Sequence, residues 1–143
     1  MSKKQATKAV KETKAINEAE FSAEVEACAE FMRNLIDVCY PQCDELKYAR
    51  ERMAENLVWR ADRDYEFQVT KVAESQERLD NAVFEETAIR EKLQRESVDE
   101  PNTTVYDSRR ERAAQWHERM EMQMCGAARY RDGAILCRDT LSD

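Results

Sequence analysis

Only two glycines and two prolines occur in 143 residues, together with a single histidine. So few turn residues argue against a sheet-rich fold, which needs them at every hairpin. Two glycines cannot make a phosphate-cradling loop. The chain also lacks any apolar run near the length of a membrane span. Its N-terminus has no apolar segment of the secretory kind, so the five cysteines are expected to be reduced thiols and the location cytoplasmic.

Charge is abundant. Charged residues make up 37% of the chain, and the formal net charge is -7. Disorder would be one consequence of so much charge, but 42% of residues are apolar and they recur periodically. The charge is also uneven. Lys3, Lys4, Lys8, Lys11 and Lys14 stand against Glu12 alone at the amino end, on an otherwise acidic chain. Residues 1–18 therefore read as a basic, flexible arm, and residues 19–143 as the folded body.

Gln42 to Glu100 contains neither Gly nor Pro. As one helix it would run roughly 88 Å, so it needs other helices laid along it. Before it, Phe21, Val25, Cys28, Met32, Leu35 and Cys39 step by four and three, a heptad seam over about 19–40 that Phe31, Ile36 and Val38 widen. Pro41 punctuates. The long stretch opens on Leu46, Ala49, Met53, Leu57, Ala61, Tyr65 and Val69. It continues through Val72, Gln76, Leu79, Val83, Glu86, Arg90 and Leu93. The run of steps of four between Met53 and Val69 makes the seam drift, and Trp59 and Phe67 lie off it. A break near Arg60–Asp64 competes with continuity. Ser97 to Tyr106, with Pro101, is the one clear loop. Asp107 or Ser108, with Glu111 three residues beyond Ser108, is expected to cap a third helix over about 107–132. Gly126 is placed to kink that helix and Gly133 to end it. The fold class is all-α: an elongated antiparallel three-helix bundle, coiled-coil-like, with helices near 19–40, 42–98 and 107–132.

Chemistry is sparse. His117 has no nucleophile or orienting carboxylate in its sequence neighbourhood and reads as a rim histidine. Cys39 and Cys43 form one C-x3-C where a tetrahedral metal site needs four ligands, and Cys28 and Cys39 read as small buried residues. No catalytic or metal site and no cofactor is expected. Arg109, Arg110, Arg112, Arg119, Arg129 and Arg131 make the third helix locally basic. On an acidic body they are better suited to pairing with the second helix than to reading nucleic acid. Trp116, Met120, Met122 and Met124 form an adaptable apolar cluster that suits either a bundle core or a partner surface. With Trp59 and Phe67 they are the candidate partner-binding residues.

Val83-Phe84-Glu85 with Ala88, and Tyr106-Asp107 followed by Arg109-Arg110, resemble tubulin-binding cofactor A over residues 83–136. Trp116, Glu118, Met122 and Arg129-Tyr130 continue that resemblance. The family's second-helix proline is missing, and about sixty N-terminal residues have no counterpart. The resemblance implies a tubulin-folding chaperone with β-tubulin as partner. The residues themselves point to a non-enzymatic helical adaptor or structural subunit that meets a protein partner or further copies of itself. An acidic helical regulator or inhibitor is a third reading.

Overall fold

The computed structural model describes the backbone of residues 3–142 and the side chains of 18–142. It is an all-α helical bundle of three helices. These are α1 (Lys3–Cys39), α2 (Lys47–Arg95, entered through a 3-10 turn at Asp44–Leu46) and α3 (Thr104–Asp139). Both prolines fall in the connections, where a missing N–H costs nothing. α2 passes through Arg60–Asp64 without interruption. α1 is helical from Lys3, well before the start expected near Ala19. Lys, Ala, Gln and Glu dominate that segment, and all four are strong helix formers. Whether the basic arm is flexible is a matter of residues whose side chains lie outside those described.

α3 begins at Thr104, before the caps expected at Asp107 or Ser108. The Asn102 side-chain carbonyl accepts the Thr104 N–H at 3.2 Å, and the Thr103 carbonyl takes the Asp107 N–H at 2.9 Å. The Asn-Thr pair after Pro101 therefore opens the helix. Gly133 does not end it either, since α3 runs on to Asp139.

α2 closes on Ser97, whose φ is 56°. The Val98 N–H bonds to the Leu93 carbonyl at 3.1 Å and the Ser97 N–H to that of Gln94 at 3.1 Å. This is the paired 6→1 and 5→2 pattern of a left-handed helix stop, a position that favours glycine. Ser97→Gly is expected to raise stability by about 0.5–1 kcal/mol, read from a urea midpoint; a lower midpoint would show that Ser97 contributes more than its backbone strain costs.

The fold divides into two compact units: residues 1–63 with 127–143, and residues 64–126. In the first, Met32 and Ile36 of α1 meet Ala54, Val58 and Ala61 of α2, with Ala134 and Cys137 of α3 and Leu141 just beyond it. Pairs between Glu24 and Arg129, and between Arg33 and Thr140, show α1 and α3 running parallel. α1 buries the line Ala29, Met32, Ile36 rather than the expected Cys28, Met32, Leu35, Cys39. Cys39 is exposed, as are Phe31 and Val38, two of the three residues expected to widen the seam; the third, Ile36, is buried. The reason is the small residues. Ala29, Ala54, Ala61 and Ala134 are all buried, and they let the backbones approach where larger side chains would hold them apart.

In the second unit α2 and α3 run antiparallel. The shielded residues of α2 are Tyr65, Gln68, Val72, Ser75, Leu79, Ala82, Glu86, Ile89 and Leu93, alternating steps of three and four without a fault. The seam expected here is displaced by one position at Val69, Gln76 and Arg90, which are exposed, while Val83 is half-buried beside Ala82. At Gln76 and Arg90 the displacement exchanges a larger or charged residue for the one that packs, Ser75 and Ile89.

Candidate functional site

The second unit's seam carries polar groups where a coiled coil ordinarily carries aliphatic ones. Ser75 on α2 is fully buried, and its hydroxyl donates to the Val72 carbonyl at 2.8 Å. The same oxygen lies 2.9 Å from Nδ1 of His117 on α3. The other ring nitrogen of His117 faces Glu121 one turn on. His117 is therefore held at both nitrogens, with its side chain only 14% exposed. It is not the rim histidine expected: Ser75 is remote in sequence, and Glu121, four positions on, is a carboxylate within reach that the reading of its neighbourhood did not allow for.

Serine, histidine and carboxylate in a hydrogen-bonded row is the order found in nucleophilic triads. Here access is missing. Ser75 has 0% exposure. The surrounding backbone N–H groups are mid-helix and already bonded four residues back, so none is free to stabilise an oxyanion. The row ties α2 to α3 and fixes their register. Ser75→Ala is expected to cost about 1 kcal/mol, because it leaves Nδ1 facing an apolar methyl. Ser75→Ala with His117→Leu is expected to recover that loss, since both polar partners leave together. A double-mutant cycle on urea midpoints measures the coupling, and strictly additive losses would mean the two residues do not act on one another.

Nearer the loop, buried Glu86 receives Arg110 at 3.1 Å and Arg90 at 3.2 Å through one oxygen. Arg90 continues to Asp107 at 2.9 Å, and Asp107 accepts the Thr103 hydroxyl at 3.0 Å. Asp107 first, and Glu86 second, hold the Arg90 guanidinium above its ordinary range. Arg109 pairs with Glu85 at 3.7 Å. So two of the basic residues of α3, Arg109 and Arg110, answer acidic residues of α2. Arg129 instead answers Glu24 of α1, at 2.6 Å.

The candidate partner-binding residues separate. Met120 is 5% exposed in the α2–α3 seam and is closed to a partner. Met124 is half-buried in the same line. Trp116 stands 38% exposed, and Met122, on the opposite side of α3, 69%. Phe67 is exposed in this unit with Lys71 over its ring at 5.3 Å. Trp59 belongs to the first unit and is likewise exposed, with Arg63 over its ring at 4.8 Å. Phe84, quoted above for the family resemblance but not among the candidate partner-binding residues, is 74% exposed on α2. The signal for it was available, since Phe84 sits half a turn from the faultless heptad line.

All five cysteines are free, with Cys39, Cys43 and Cys125 exposed. Burial pushes the Cys137 thiol up, and it packs as a small apolar residue. Two open clefts, of about 320 and 560 Å³, belong to the first unit and are lined by residues of mixed charge, Lys47 and Glu51 in one and Glu30 and Arg33 in the other. Among the described residues no three His, Cys, Asp or Glu gather as metal ligands, and no helix is long and apolar enough to cross a membrane. No family model, no curated protein and no solved structure matches this chain.

Proposed function

We propose that the chain is a non-enzymatic helical subunit or adaptor whose function is to present helix faces to protein partners in a reducing, cytoplasmic setting. One observation carries this reading. Large apolar side chains stand in solvent on every helix: Phe31 on α1, Trp59 and Phe67 on α2, and Met122 on α3, each more than half exposed. A lone exposed leucine needs no explanation, but aromatic and Met side chains are the residue types that anchor protein interfaces. Arg63 and Lys71 lie across the Trp59 and Phe67 rings and keep them soluble until a partner displaces those cations. The free, exposed thiols of Cys39, Cys43 and Cys125 suit a compartment that keeps them reduced.

The test is size fractionation of an extract of the native source, followed with an antibody to the chain. The chain is expected in a complex larger than itself. Trp59→Ala with Phe67→Ala is expected to release it from that complex while its helicity by circular dichroism is unchanged. Migration of the wild-type chain as free monomer throughout the extract would sink the reading.

A further inference from the structure

α1 carries a second face that the bundle does not use. Ala23, Ala27, Phe31, Leu35 and Val38 recur every three or four residues, and all are exposed. At about 100° per residue they centre almost opposite Ala29, Met32 and Ile36, the line that packs inward. The face is small at its amino end and large at its carboxyl end, where Phe31, Leu35 and Val38 are 64%, 39% and 82% exposed. Carboxylates edge it. Glu20 and Glu24 stand at its amino end, and Glu26, Glu30 and Asp37 follow one side. Arg33 is the sole cation of residues 18–39, and it is committed to the Thr140 carbonyl and hydroxyl. Glu24 and Asp37 are answered by Arg129 and Arg50. Glu26 and Glu30 pair with no cation among the described residues. They form one wall of the cleft of about 560 Å³ whose other wall is Leu136 and Thr140 of α3.

An apolar face with an acidic edge selects what can cover it. A second copy of the same face is disfavoured, because a two-fold antiparallel pair sets each edge against itself, carboxylates to carboxylates. Nucleic acid and anionic lipid are disfavoured by the same charges. We infer that this face docks an amphipathic helix of a different protein, one with Lys or Arg along the edge that meets Glu26 and Glu30. The cleft beside those glutamates has room for the end of one such basic side chain, with the two carboxylates as its acceptors. Ala23 and Ala27 leave space for large apolar residues of the partner, whereas Phe31 and Val38 project and call for small ones. The contact runs roughly 27 Å along α1 from Glu20 to Val38. This partner class rests on the assembly reading above and gives it a chemistry.

A synthetic three-heptad helical peptide tests it, with Leu on the seam and Lys on both edges, against the same peptide with Glu in place of Lys. Fluorescence anisotropy with the purified full chain reads both. The wild type is expected to bind the Lys-edged peptide roughly tenfold or more tightly than the Glu-edged one. Glu26→Lys with Glu30→Lys is expected to reverse that preference. Phe31→Ala with Val38→Ala is expected to weaken binding roughly tenfold, and both double variants keep their helicity by circular dichroism. Binding of neither peptide, equal binding of both, or binding indifferent to Phe31 and Val38 would overturn the inference. So would sedimentation of the wild type as a dimer that Phe31→Ala with Val38→Ala dissociates, since the occupant is then a second copy. In extract, wild-type chain migrating as free monomer removes the assembly reading. A complex that survives both double variants removes only the docking of a basic helix on α1.

Discussion

Gly133→Ala is expected to lower stability by about 1–3 kcal/mol, while Gly126→Ala raises it by about 1 kcal/mol. The two glycines lie on one helix, two turns apart, and the same methyl is added to each. In a helix interior that methyl is favourable in itself, because glycine loses more backbone freedom on folding. At Gly126 nothing lies within 4 Å of the added carbon, so only that gain remains. At Gly133 the carbon would come within 2.6 Å of Cys28 Cβ, 3.2 Å of the Val25 carbonyl oxygen and 3.3 Å of the Ala29 N. None of these is the free end of a flexible side chain. α1 and α3 would have to separate, which loosens the core around Met32 and Ala134. Urea or thermal unfolding of the two variants measures both effects. If both substitutions stabilise, α1 and α3 do not approach as closely as described.

Arg50→Ala is expected to cost about 2–4 kcal/mol. The Arg50 side chain is 7% exposed and reaches from α2 to the carboxyl end of α1. It donates to the Tyr40 carbonyl at 2.5 Å and to Asp37 at 2.7 Å. That carbonyl belongs to the end of a helix, where oxygens lack the amide four residues on. One guanidinium thus closes α1 and fixes the turn around Pro41. Arg50→Lys is expected to recover less than half of the loss. A single ammonium on a flexible stem cannot reproduce a planar fork bonded to two acceptors. The check is the unfolding midpoint of the three proteins at one pH. Full recovery by lysine would reduce the role of Arg50 to charge alone.

The helices were legible in the sequence because their cause is local. The absence of Gly and Pro between Gln42 and Glu100 is enough to keep α2 whole, and Pro41 and Pro101 mark both connections. The packing faces were only partly legible, because large apolar residues are a poor guide where small and polar ones make the contact. Val69 is 41% exposed while Ser75 has no exposure, and Val38 is out while Ala29 is in. An unbroken alternation of three and four from Tyr65 to Leu93 marks the true line, and it is visible only if Ser75 and Glu86 are allowed on it. The Ser75–His117 bond spans 42 positions and could not be read from either neighbourhood. Nor could the approach of α1 to Gly133, which depends on what lies opposite the glycine. The start of α3 was masked by Asp107, a good capping residue by type that pairs with Arg90 instead.

The parallel run of α1 and α3 has a consequence for the order in which the chain folds. Arg90 and Asp107 are 17 positions apart, and the α2–α3 unit can zip from the Ser97 stop through short loops. Arg33 and Thr140 are 107 positions apart. Closing that longer loop carries an additional entropic cost of about 1.5 kcal/mol, at roughly 0.6 kcal/mol per doubling of length. Contacts of long sequence separation form late in small proteins. The end of α3 is therefore expected to dock on α1 last, after the antiparallel pair is in register. Substitutions around Ala134 and Cys137 then act mainly on the unfolding rate, and those around Ser75 and His117 on the folding rate.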